Sequence, residues 1–166
     1  MLFEGSAVVS ARGTWRYRLD RPLRQTGVVA AVFGVNPSTA TADVDDQTIR
    51  KVVGFGLRLG WSRVIVGNLF GYRSANVRSL RTVGPDNDRY LHEIMGDADV
   101  LVAAWGTADK LPPRLHGRIQ AVLEIANQAG KPMMCWGRSM DGSPRHPLMV
   151  AYSTSLQHSR DRVQTG

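Results

Sequence analysis

The chain of 166 residues is long enough for one domain with a sizeable core, and 43% apolar residues without low-complexity tracts exclude a disordered protein. No apolar run reaches the length of a membrane span, the first twenty residues lack a signal-peptide pattern, and the lone Cys135 excludes an internal disulfide; a cytoplasmic protein is expected. The net charge of +7 comes almost wholly from arginine, Lys51, Lys110 and Lys131 being the only lysines, and suits either a polyanionic partner or a solvated basic surface.

In chain order, residues 6–20 read as two short strands around Arg12-Gly13. Val28 to Gly34 is an apolar run rich in β-branched residues, as in a strand buried on both faces. After NPSTATADVDD comes a helical pattern with Ile49, Val52, Val53 and Leu57 on one face. Asp45 or Asp46 can cap its start, and Gly60 should stop it. Arg63 to Phe70 is a second buried strand. Pro85 and Asp86 open a helix carrying Leu91, Ile94 and Met95. Asp99 to Gly106 is a third strand, followed after Pro112-Pro113 by a helix with Leu115, Ile119, Val122, Leu123 and Ala126 on its apolar stripe. Pro132 to Gly137 is the fourth strand, and a polar tail closes the chain. Four strands alternating with three helices predict a single α/β domain over 1–166, with a central four-stranded parallel sheet in a three-layer sandwich. Ligands of such sheets bind beyond the carboxyl ends of the strands, which here are Gly34, Asn68, Trp105-Gly106 and Gly137.

Two familiar signatures do not hold. GFGLRLG, Gly54 to Gly60, has the wrong spacing for a dinucleotide fingerprint and lies inside a helix pattern; no Walker-type loop is present. Neither nucleotide cofactor is supported, no zinc spacing occurs, and no cofactor or metal is expected.

Four segments carry candidate chemistry. In GVNPSTA, Gly34 permits close approach of a ligand, and Asn36-Pro37 forces a rigid turn ahead of Ser38. The Asn36 amide can orient a water or read a base edge; alternatively it bonds its own backbone as an ordinary turn residue. In VDDQTIR, Asp45 reads as a capping residue, while Asp46 either caps the helix or acts as a base. Asn68 closes an apolar strand with a group able to give and accept hydrogen bonds along a pyrimidine edge. In RHPLM, a neutral His146 can donate to an oxygen gaining charge, or simply shape a loop turn. Leu148 and Met149 stand beside basic residues, as expected of a wedge that parts stacked bases.

Taken in order, GVNPS, VIVGNLF, VLVAAWGTA and RHPLM resemble the motifs of the uracil-DNA glycosylase superfamily. The chain also resembles a set of uncharacterised short bacterial and phage proteins carrying LNPSTA, DD-x-TIR, NLF, AWG and HPL, over roughly residues 15 to 150. The wider resemblance implies a glycosylase-like fold and hydrolysis of the N-glycosidic bond of a deaminated or modified pyrimidine, extruded from single- or double-stranded DNA. Asn36 would position water, Asn68 would read the base, His146 would stabilise the departing anion, and Leu148 would enter the duplex. Gly34, Pro37 and Ser38 would complete the base pocket, and Arg138, Arg145 and Met149 would contact DNA. Ser38 stands where strict uracil enzymes carry a tyrosine that excludes a 5-methyl group, and Phe55 is the candidate for the stacking aromatic. A monomer without cofactor is expected. A non-catalytic nucleic-acid-binding protein of this fold, or an enzyme of free nucleosides or nucleotides, are the alternatives.

Overall fold

The structure, a computed structural model, describes residues 4–80 and 82–159. Four of its strands are mutually parallel: β3 (Val29–Gly34), β4 (Arg63–Asn68), β5 (Val100–Ala103) and β6 (Met133–Cys135). A hairpin of β1 (Ser6–Val9) and β2 (Arg16–Pro22) adds to one edge, and β7 (Gln157–His158) to the other, all antiparallel. The described sheet therefore has seven strands in the order β1-β2-β4-β3-β5-β6-β7, a mixed arrangement in place of the expected four-stranded parallel sheet.

The two additions have different causes. The hairpin joins the sheet because β2 pairs along β4, from Leu19 opposite Val66 to Pro22 opposite Arg63. Strand β7 is two exposed residues in the tail, too short and too polar to show any alternation.

Alternation in the parallel strands divides the interior in two. Ala31, Phe33, Ile65, Leu101 and Ala103 face one core, shared with Leu91, Ile94 and Met95 of α2 (Asn87–Asp97) and Val122, Leu123 and Ala126 of α3 (Gly117–Ala129). Ala30, Val32, Val64, Val66 and Val102 face the other, under α1 (Gln47–Leu59). Layers on both sides explain why these strands read as continuous apolar runs. Within α1 the inward residues are Ile49, Val52, Phe55 and Gly56, and Leu57 is exposed, contrary to the expected face. Leu115, placed on the last helix by its spacing, belongs to a short 3-10 turn before α3. No helix among the described residues is long and apolar enough to cross a membrane.

The chain leaves the strands earlier than the apolar runs suggest, at Asn68 and Ala103. Leu69 and Phe70 still donate to the Gly34 and Val35 carbonyls, each at 2.9 Å, and Ala104 to Phe33 at 2.9 Å. These bonds draw the loops together over the carboxyl edge of β3, where β4 and β5 diverge to its two sides. That divergence is the switch point at which a crevice opens.

Candidate active site

A cavity of about 520 Å³ lies at that edge, within the size range of small-molecule sites. Its lining includes Gly34, Asn36, Ser38, Asp46, Asn68, Arg145, His146, Leu148 and Met149, residues from four separate segments. Pro37 is buried in the turn and Arg138 is half-buried, and neither is among the lining residues. Arg138 has a buried Nη2 without a partner among the described residues and pairs through its backbone with Pro144.

Asn68 is 5% exposed, and its side chain makes no hydrogen bond among the described residues. Its backbone, in contrast, is held from two sides. Asn87 Nδ2 donates to the Asn68 carbonyl at 3.0 Å and to that of Leu69 at 3.2 Å, and Arg118 Nε donates to Leu69 at 2.6 Å. Arg118 is itself anchored to Asp88. A buried carboxamide on a fixed backbone with free hydrogen-bonding capacity is suited to reading a polar edge.

Asn36 does bond backbone, as its turn reading allowed, but across the loops as well as locally. Its Nδ2 lies 2.7 Å from the Ser74 carbonyl, 3.3 Å from that of Tyr72 and 3.2 Å from that of Pro37. The amide nitrogen is spent on ordering the 72–74 loop, which leaves Oδ1 as the atom able to hold a water.

Of the two aspartates, Asp46 is the cap: its Oδ1 accepts from the Ile49 N–H at 2.9 Å. The second carboxylate oxygen has no hydrogen-bond partner among the described residues, and Asp46 both caps the helix and lines the cavity. Asp45 is no cap. It accepts at 2.7 Å from Nε of Arg21, a guanidinium only 1% exposed, and this corrects its expected capping role.

His146 precedes a 3-10 turn, Pro147–Met149, and its Nδ1 accepts from the Leu148 N–H at 3.2 Å. The proton of the neutral ring therefore sits on Nε2. Burial holds the imidazole pKa below its ordinary value, the Lys110 charge lowers it further, and Asp46 opposes both. The same turn leaves Leu148 and Met149 exposed at the cavity rim, at 41% and 67%.

The lining also includes Arg16 from β2 and Lys110, neither assigned a role from the sequence, and Trp105, which stands at one of the expected strand ends but had no role of its own. Trp105 is buried, 4% exposed, and supplies the aromatic surface of the cavity. Phe55 does not: it is 1% exposed and stacked on Trp136 at 4.3 Å beneath the sheet, so its assignment as a stacking aromatic is withdrawn. No group of three or more His, Cys, Asp or Glu side chains among the described residues could hold a metal ion.

Fold and site thus define an α/β protein with a largely apolar cavity, carrying a few polar and charged groups, at the carboxyl ends of its parallel strands. Residues 16–148 match the model of a family of proteins of unknown function, DUF1643, and the chain belongs to that family. The matched stretch runs from the first residue of β2 to the His-Pro turn. No curated protein and no solved structure matches the chain.

Proposed function

We propose that the chain is a DNA glycosylase-like protein that hydrolyses the N-glycosidic bond of a deaminated or modified pyrimidine in DNA. The observation that carries this reading is the Asn68 carboxamide, buried and without a hydrogen-bond partner among the described residues, in a cavity that also holds His146 and Asp46. These groups gather around the carboxyl ends of the parallel strands, the place where α/β sheets bind their ligands, and that supports a common site for them.

In this mechanism a nucleotide is extruded into the cavity, and Leu148 and Met149 at the rim fill the space it leaves. Asn68 meets the polar edge of the base and Trp105 offers an apolar surface beside it. A water held by Asn36 Oδ1 and Asp46 attacks C1′, its proton passing to the free carboxylate oxygen of Asp46. The C1′–N bond breaks with its electron pair going to the base, and the Nε2–H of neutral His146 donates to the base anion. No charged acid is needed, which fits an imidazole kept neutral by burial.

The test is a panel of labelled oligonucleotides, single- and double-stranded, bearing uracil or 5-substituted pyrimidines. Excision of one base, lost in Asn68→Ala, supports the reading. Tight binding that weakens with salt and yields no product would instead make the chain a non-catalytic nucleic-acid binder, because phosphate contacts release counterions whether or not chemistry follows.

A further inference from the structure

Four arginines of the described residues are buried, and three of them meet carboxylates. Arg18 is paired with Asp20 and Asp97, Arg21 with Asp45, and Arg118 with Asp88. Arg16 is the exception. It is 3% exposed, and among the described residues it forms no ion pair. Nη1 donates to the Ala40 carbonyl at 2.9 Å, and Nε is buried with no partner. A guanidinium cannot escape this cost by giving up its proton at neutral pH. Burial lowers its pKa to about 10, with Arg73 and Arg21 adding to the effect and Asp46 partly offsetting it.

The fold sets this charge at the cavity. Strand β2 runs antiparallel to β4, and its first residue lies beside the carboxyl end of β4, where the Arg16 N–H donates to the Gly71 carbonyl at 2.9 Å. Arg16 lines the same cavity as Asn68, together with Lys110 and Arg145, against Asp46 as the single carboxylate of the lining. Buried charges in folded proteins are paired, and this one instead lines a cleft with an excess of positive charge.

We infer that Arg16 anchors an anion subsite inside the cavity, and that the group it takes is the phosphate of the nucleotide whose base meets Asn68. The identity of that base rests on the glycosylase reading above; the subsite itself rests on Arg16. A guanidinium fork matches phosphate oxygens, and in a partly desolvated cleft such a bond is stronger than on the surface. The phosphate has two sources, the 5′-phosphate of a free mononucleotide or the phosphodiester of a strand threaded past the cavity.

Binding of four probes separates these outcomes: 2′-deoxyuridine, 2′-deoxyuridine 5′-monophosphate, inorganic phosphate, and a single-stranded oligonucleotide with one uracil. Unaltered protein should hold the monophosphate or the oligonucleotide about 10- to 100-fold more tightly than the nucleoside, a range typical of a charge-assisted contact. Arg16→Gln should bring the preferred probe down to the nucleoside affinity, and Arg16→Lys should restore part of the difference. A gain confined to the oligonucleotide identifies the phosphodiester as the source; a gain on the monophosphate identifies a free nucleotide. If no pyrimidine binds but phosphate raises the melting temperature in an Arg16-dependent way, the subsite stands and the base assignment falls. If uracil is excised and the unaltered protein holds nucleoside and monophosphate equally, with Arg16→Gln leaving KM for the oligonucleotide unchanged, the subsite falls and the glycosylase reading stands. Should both variants fail to fold, equal affinity of unaltered protein for nucleoside, monophosphate and oligonucleotide, with no thermal shift from phosphate, still overturns the subsite, and Lys110→Gln and Arg145→Gln that each keep a phosphate preference leave Arg16 as its anchor.

Discussion

Gly34 and Asn68 are partners across the β3–β4 ladder, and a Cβ on Gly34 would lie 2.9 Å from the Asn68 carboxamide oxygen. Glycine is therefore required here for space and not for backbone conformation, since Gly34 is not among the positive-φ glycines. Gly34→Ala should shift the carboxamide and little else. Thermal unfolding should change by no more than about 1 kcal/mol, while affinity for a uracil-bearing oligonucleotide should fall roughly tenfold or more, as in Asn68→Ala. Undiminished affinity in Gly34→Ala would show that the Asn68 side chain does not read the base.

The neighbouring aspartates should separate cleanly by assay. Asp46→Asn keeps an oxygen for the Ile49 N–H, so stability should hold within about 0.5 kcal/mol, while loss of the proton acceptor should cost about 10²–10⁴ in turnover. Asp45→Ala removes the carboxylate from buried Arg21, whose bonds to the Asp20 and Thr41 carbonyls remain. Because the Asp45 side chain is 24% exposed, a loss of about 1–3 kcal/mol in denaturant unfolding is expected, with turnover retained. The reverse pattern would move the general base to Asp45.

How far the site was legible follows from where each residue sits. Asn36, Asn68 and His146 each end an apolar run or stand beside a proline, so a polar group there is visible against its surroundings. Arg16 had no such contrast: β2 carries three arginines and an aspartate within seven residues, and only the ladder with β4 shows which guanidinium reaches the cavity unpaired. Phe55 stands between Gly54 and Gly56 on α1, where the glycines' lack of side chains blurs the apolar stripe, and a rotation of the assumed face exchanges Phe55 in the core for exposed Leu57. The four parallel strands were legible because burial on both faces leaves continuous apolar runs. The hairpin strands were legible within residues 6–20, though nothing in them showed their pairing along β4; β7, two exposed polar residues paired on one side, left no run to read.

His146 gives a pH signature. Its folded-state pKa lies below the ordinary value of 6.5, so the unfolded chain binds the proton more readily than the native one. The contribution of the neutral, buried ring is fully present above pH 6.5 and is lost as pH falls through the lowered folded-state value. Denaturant unfolding from pH 7.5 down to about 5 should therefore show a loss that His146→Gln reduces. Excision should persist below pH 6.5, since the neutral Nε2–H donor survives further into acid than a free imidazole. An acid limb centred on the ordinary histidine value would place the ring in solvent and remove its assigned role.

Ser38 sets the last expectation, which concerns the choice of base. Its side chain is half-buried, lines the cavity, and makes no hydrogen bond of its own among the described residues; only its carbonyl is used, accepting from Arg73 Nε at 3.5 Å. A serine here leaves room beside a pyrimidine that a tyrosine would fill. Unaltered protein should therefore process 5-substituted pyrimidines alongside uracil, if it processes either. Ser38→Tyr should keep uracil and reject the 5-substituted base by about 10- to 200-fold in kcat/KM, the scale on which a pocket discriminates one methyl-sized group. The comparison is made on matched oligonucleotides differing only at that position. Should unaltered protein already refuse the 5-methyl base, some other residue walls the pocket, and Trp105, buried at the end of β5, becomes the side chain to truncate next.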